Sequence, residues 1–196
     1  MDVRQHALLR TACEVISERG LAGTRTADVA AAAGVSQALL FYHFSSREQL
    51  LLRAFAYAAE SELARLEAVV AAAAPPPLKL RQLLQLYAPG GRRSPAWPMW
   101  IDGWAEALRN PELERIARRL ARRWQQALAG GIQAGVAAGA FRCPDPVAAA
   151  GRIGALLDGL AVRATVHPRL VGHRQAADWL RLAAARELDV DAAVLR

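Results

Sequence analysis

Gln37 ends in a carboxamide, which donates and accepts hydrogen bonds side by side and so matches the major-groove edge of an adenine. Ser36, Tyr42, His43 and Arg47 stand close to it, with Arg25 and Thr26 a little upstream. Their hydroxyl, imidazole and guanidinium groups suit phosphate oxygens. Ala38 and Leu39 follow Gln37 and are apolar. For Arg25 two readings stay open: contact with a phosphate or the minor groove, or a solvated surface charge.

Positioning such groups takes rigid elements. Thr26 is the expected cap of a short helix over 27–33, with Gly34 as its terminator. Ser36 is the expected cap of a second short helix over 37–43. Two helices joined by Gly34-Val35-Ser36 form a helix-turn-helix candidate, with Val29, Ala30 and Val35 packing the pair. In that motif the first helix crosses the phosphate backbone and the second lays its amino-terminal residues into the major groove. Periodicity alone fits two ordinary packed helices equally well.

The whole chain bounds these readings. Its 196 residues are 54% hydrophobic and 22% charged, enough to bury the core of one to two domains and too apolar for a mostly disordered chain. No apolar run approaches the ~20 residues of a membrane span. The start, Met1-Asp2-Val3-Arg4, puts an acid and a base where a secretory leader needs apolar residues, so a cytoplasmic location is expected. Cys13 and Cys143 are too few and too far apart for a disulfide framework or a zinc site. The net charge of +7 lies downstream of residue 50, because residues 1–50 hold five bases and five acids. DNA binding therefore has to rest on the motif and not on bulk charge.

Alanine, leucine and arginine fill the stretches between prolines and glycines, and period-two alternation is scarce, so the expected fold class is all-α. A first helix is expected over 2–19, stopped by Gly20, with Leu8, Leu9, Ala12, Cys13 and Ile16 on one face. A long fourth helix follows Ser46 and runs to about Ala73, ended by Pro75-Pro76-Pro77. Further helices are expected at 78–88, 97–109, 111–138, 145–166 and 174–187, giving about nine, and residues 89–95 form the least ordered stretch. The expected division is a helix-turn-helix domain over 1–50, with its motif at about 25–44, and a helical body over 51–196 for effector binding and dimerisation.

The residues from Thr24 to Leu50 resemble the DNA-binding segment of the tetracycline-repressor (TetR) family of bacterial regulators. The likeness is carried by Thr26-Ala27-Asp28-Val29-Ala30, Ala33-Gly34-Val35-Ser36, Leu40-Phe41-Tyr42-His43-Phe44 and Ser46-Arg47-Glu48 with Leu50. It implies that Tyr42 and His43 face phosphates and that Thr26 opens the second helix. Arg47 replaces the family's lysine at the start of the fourth helix, keeping the charge and the ability to bond a phosphate. Phe41 stands where the family usually has a tyrosine, so that hydroxyl contact is missing. Ala38 and Leu39 stand where small or hydroxylated residues of the family approach bases, and being apolar they imply methyl contact with thymine in place of hydrogen bonds. Farther on, Trp104-Ala105-Glu106-Ala107, Asn110-Pro111-Glu112-Leu113, Gly135-Val136-Ala137-Ala138-Gly139 and Leu157-Asp158-Gly159-Leu160 resemble the subgroup related to the choline-responsive repressor BetI. That subgroup is functionally broad and supplies no ligand.

In the body, Trp97, Trp100, Ile101 and Trp104 fall on one helix face, as the wall of an effector pocket or as plain core. Asp102 points away from Trp100 and is set aside as a cation partner. Asp158, a carboxylate among apolar neighbours, is the better candidate, with pairing to Arg163 or helix capping as alternatives. Arg115, Arg118, Arg119, Arg122 and Arg123 form a stripe that is either solvated or a field drawing the protein to DNA. The resemblance implies that the two last helices, rich in small residues, build a four-helix dimer interface.

The expected function is a homodimeric repressor of a near-palindromic double-stranded DNA operator, released by a small-molecule effector. The alternatives are a ligand-dependent activator or a small-molecule-binding helical protein. No nucleophile elbow, phosphate loop or metal-ligand spacing is present, so neither an enzyme nor a cofactor is expected.

Overall fold

High helix propensity between sharp proline and glycine boundaries yields helices throughout. The computed structural model describes residues 3–88 and 96–195. Its elements are α1 (Val3–Gly23), α2 (Thr26–Ala32), α3 (Gln37–His43), α4 (Arg47–Ala71), α5 (Pro76–Tyr87), α6 (Ala96–Ala107), α7 (Pro111–Ala137), α8 (Pro146–Val166) and α9 (His173–Glu187). A 3-10 turn over Ala192–Leu195, not anticipated from the sequence, follows. Among the described residues the fold is all-helical, as expected. The stretch 89–95, expected to be the least ordered, lies outside the described residues.

Helix ends explain most of the boundaries. Prolines at the start of α5 need no intrahelical partner for their nitrogen, so the same residues that end α4 open the next helix. Asn110 Oδ1 accepts the N–H groups of Glu112 and Leu113 ahead of α7. Asp145 Oδ1 accepts those of Val147 and Ala148 ahead of α8. Each carboxylate or amide satisfies donors that the first helical turn leaves open.

Gly20 stops the first regular helical stretch, as expected, by taking φ 75° and ψ 163°, and a second short stretch runs on to Gly23 within α1. One expected cap is corrected. Thr26 is the first residue of α2 and not its cap. Arg25 holds the cap position, because Asp28 lies three residues on and its carboxylate accepts the Arg25 N–H at 3.2 Å.

The chain packs as two compact units, one drawn from residues 1–62 and 95–119, the other from 63–94 and 120–196. The dividing points fall within α4 and α7, and α6 packs with the N-terminal helices, chiefly α1. In the first unit, Leu8, Leu9, Ala12 and Ile16 of α1 are buried with Val29, Leu40, Phe44, Leu50 and Phe55. A Cβ on Gly103 of α6 would overlap the Phe55 ring, so the absence of a side chain there lets α4 and α6 close. Cys13 Sγ donates to Ala54 O at 3.3 Å, and burial pushes its thiol up to about 12. In the second unit, Leu80, Leu83, Leu128, Ile132, Ile153, Leu157, Leu180 and Ala184 form the core. There α8 and α9 are tied by a fork in which Arg152 Nε donates to Glu187 Oε1 at 2.8 Å and Nη2 to Oε2 at 2.6 Å.

Candidate nucleic-acid interface and effector residues

The turn between α2 and α3 is built from three local features. Gly34 takes φ 65°, the left-handed region that a side chain disfavours. Val35 N–H returns to Ala30 O at 3.0 Å, and Ser36 Oγ accepts Leu39 N–H at 3.2 Å as the cap of α3. Leu40 and Phe44 anchor α3 inward, while Gln37, Ala38, Phe41 and Tyr42 form one outward stripe. Tyr42 is 82% exposed, its ring edge-on to His43, so its hydroxyl is available to an external acceptor. Arg25 and Ser36 are exposed, and Thr26 and His43 are half-buried. Leu39 is half-buried, turned partly away from the stripe that holds Ala38.

Arg47 does something the sequence did not suggest. Its Nε donates to Thr24 O at 2.7 Å, and its Nη2 donates to Leu21 O at 2.8 Å and Ala22 O at 3.0 Å. Leu21 and Ala22 lie in the last turn of α1 and Thr24 just beyond it, where the helix leaves acceptors open and concentrates negative partial charge. The expected phosphate contact therefore meets a guanidinium already committed to the backbone. The planar guanidinium reaches these carbonyls from two separate nitrogens, Nε and Nη2, where an ammonium would have to serve all three from one.

The three tryptophans of α6 are all in the first unit but do not act alike. Trp97 and Trp104 meet edge to face at 5.8 Å, and Trp100 packs against Phe55 at 5.1 Å. Trp97 and Trp100 are buried and Trp104 is half-buried. Asp102 is spent elsewhere, as its Oδ2 accepts Leu21 N–H at 2.9 Å.

Asp158 lies in the second unit, in mid-helix on α8. It neither caps the helix nor pairs with Arg163, the two alternatives open from the sequence. It instead accepts a 2.6 Å hydrogen bond from Tyr87 Oη. Burial holds its carboxyl above the ordinary aspartate range, and the Tyr87 bond partly opposes that. The Tyr87 ring sits edge to face on Trp124 at 4.4 Å. The carboxylate thus meets one aromatic side chain, which itself packs on a second. Sequence reasoning missed Tyr87 and Trp124 because no local pattern links residues on α5, α7 and α8.

The arginine stripe on α7 is exposed throughout. Arg115 pairs with Glu112 at 3.7 Å, Arg118 with Glu114 at 3.4 Å and Arg123 with Glu67 at 3.1 Å. These are surface pairs of small energetic weight.

A helix-turn-helix head with an outward polar and aromatic stripe, carried on a helical body, defines a DNA-binding regulator. Residues 8–54 match the family described as bacterial regulatory proteins, tetR family, and residues 76–189 match the BetI-type transcriptional repressor C-terminal family. The chain is 31% identical over 168 residues to the HTH-type transcriptional regulator BetI of Rhizobium meliloti, covering 82% of this chain and 77% of that protein. It is 28% identical to BetI of Paraburkholderia xenovorans, covering 83% and 82%. Among solved structures, a transcriptional regulator from Saccharomonospora viridis in complex with choline superposes with TM-score 0.87 at 28% identity, over 94% of this chain and 96% of that one. The chain belongs to the TetR family of bacterial transcriptional regulators, with a BetI-type C-terminal domain. It is a regulator and not an enzyme, as its relatives are. Among the described residues, no helix is long and apolar enough to cross a membrane.

Proposed function

We propose that this regulator represses from a near-palindromic operator as a homodimer and is released by a small amphipathic effector with an organic-cation head. The observation that carries the DNA half is the outward stripe of α3, with Gln37 in its first turn and Tyr42 exposed beside it. In this reading Gln37 and Ala38 face base edges, while Arg25, Thr26, Ser36, Tyr42 and His43 face phosphates. Leu39 plays a smaller part than Ala38 because it is turned partly inward, and Arg47 positions the head through α1. A second copy about a twofold axis presents the same stripe about 34–36 Å away, one turn of the duplex. Gly151, Gly154, Gly159, Ala177 and Ala183 support pairing through α8 and α9, since small side chains let helices approach closely.

Asp158, Tyr87 and Trp124 support the cationic head group. The carboxylate has no basic partner among the described residues, and an arriving cation offsets the cost of its burial. The choline complex of the Saccharomonospora relative and the BetI relatives favour the same class. Trp97, Trp100 and Trp104 are the candidates in the first unit for apolar contact, Trp104 foremost because it is the least buried. Release requires the effector to prefer one conformation of the dimer, and α4, which begins at Arg47, is the proposed lever.

The test selects an operator from random duplexes and measures binding by fluorescence anisotropy with and without choline. The reading predicts dimeric, sequence-selective, salt-sensitive binding that choline weakens. A strictly monomeric protein or indifference to sequence overturns the DNA half, and indifference to choline overturns the effector class.

A further inference from the structure

We propose that Phe41 is a specificity-determining residue that recognises a thymine through its 5-methyl group. The inference rests on the reading that α3 enters the major groove, and goes beyond it by giving a chemistry to a residue that reading leaves unused. Phe41 is 45% exposed, in the same stripe as Gln37, Ala38 and Tyr42, while Leu40 beside it is 1% exposed. Its neighbour Tyr42 projects a hydroxyl, whereas the Phe41 ring has no polar atom. It can therefore make no hydrogen bond to a phosphate or a base edge. Thymine is the base that presents an apolar group in the major groove, and phenylalanine is among the side chains suited to it.

Spacing narrows the target. Phe41 lies one helical turn beyond Gln37 on the same face, an advance of about 6 Å at 1.5 Å per residue. A helix in the major groove runs with the groove and not along the duplex axis, so the thymine read by Phe41 lies about one to two base pairs from the position read by Gln37.

The test uses the full chain and the operator duplex it selects from a random pool. Each thymine of both half-sites is replaced in symmetric pairs by deoxyuridine, which removes only the methyl group. One thymine pair is expected to weaken wild-type binding about four-fold per half-site, the value of one buried methyl-sized group. The same replacement leaves binding by Phe41→Ala unchanged, while Phe41→Leu, which keeps an apolar side chain, stays sensitive. Phe41→Leu also keeps the test decisive should the alanine variant fold poorly. The proposal is overturned when no deoxyuridine pair weakens wild-type binding, or when Phe41→Ala stays sensitive at every thymine pair that wild type senses. A thymine read by Ala38 stays sensitive in both proteins, and a sequence-independent sugar contact by the Phe41 ring leaves no pair at which the two differ. Gln37→Ala on the same duplexes separates the two levels. When it relaxes selectivity at one base pair and Phe41 shows no methyl dependence, this inference alone fails. When it relaxes none, the major-groove reading of α3 fails with it.

Discussion

Asp102 Oδ2 on α6 accepts the backbone N–H of Leu21 on α1 at 2.9 Å, at the point where Gly20 leaves helical geometry. The break frees the Leu21 N–H from the helix ladder, and the carboxylate meets it. Leu21 is also held from its other side, since its carbonyl accepts from Arg47 Nη2 at 2.8 Å. One peptide segment thus joins α6, α1 and the start of α4.

Asp102→Ala leaves that N–H without its acceptor at a buried residue, which costs about 1–3 kcal/mol. Urea unfolding of the full chain measures it. Asp102→Asn keeps an acceptor oxygen and is expected to recover most of the loss. An alanine variant as stable as wild type would show that the joint contributes nothing.

Arg47 makes a sharper case, because two roles predict different salt behaviour. Were its guanidinium bound to a phosphate, Arg47→Ala would lower the slope of log K against log salt by about one. As a backbone clamp, its removal lowers head stability and overall affinity but leaves the slope unchanged. The geometry predicts the second result, with Arg47→Lys only partly restoring stability because one ammonium cannot reproduce the fork. Anisotropy titrations at several salt concentrations distinguish the two.

How much of this was legible in the sequence depends on how local each feature is. Gly34 and Ser36 announce the turn within three residues, and the expected helix over 37–43 agrees with the structure. The prolines at 75–77, 111 and 146 announce helix starts in the same way. A Thr26 cap is the natural expectation from its hydroxyl alone, but the carboxylate of Asp28 selects Arg25 instead. The fates of Arg47 and Asp158 depend on partners brought close only by folding, the α1 carbonyls for one and Tyr87 for the other. No periodicity within a helix encodes them.

Asp158 sets a pH dependence. Its carboxyl is raised above the ordinary value of 3.8 chiefly by burial. It therefore stabilises the fold most when protonated, and that contribution is lost as pH rises from the unfolded value through the raised folded one. Asp158→Asn removes the buried charge, so the free variant is expected to melt no lower than wild type at neutral pH while losing choline affinity. In the wild type, choline affinity falls as pH drops through the folded value. Calorimetric titration with choline checks both, and an asparagine variant binding as tightly as wild type would exclude Asp158 from the site.

The Cys13 thiol, pushed up to about 12, stays protonated at ordinary pH and donates to Ala54 O. Because the thiolate is the reactive form, Cys13 is expected to resist a disulfide reagent at pH 8 in the native protein and to react once unfolded. Mass mapping of the labelled cysteine reads this directly, and labelling of native Cys13 at the unfolded rate would contradict it.

Methylation interference on the selected operator bears on the placement of α3 more directly than any other measurement. Wild-type protein is expected to show two major-groove contact tracts about one duplex turn apart, related by a dyad. Gln37→Ala should weaken binding by about 1–3 kcal/mol and erase discrimination at one base pair in each tract, whereas Tyr42→Ala should weaken all sequences alike. A single tract, contacts confined to the minor groove, or an interference pattern indifferent to Gln37 would contradict a paired reading of DNA by α3.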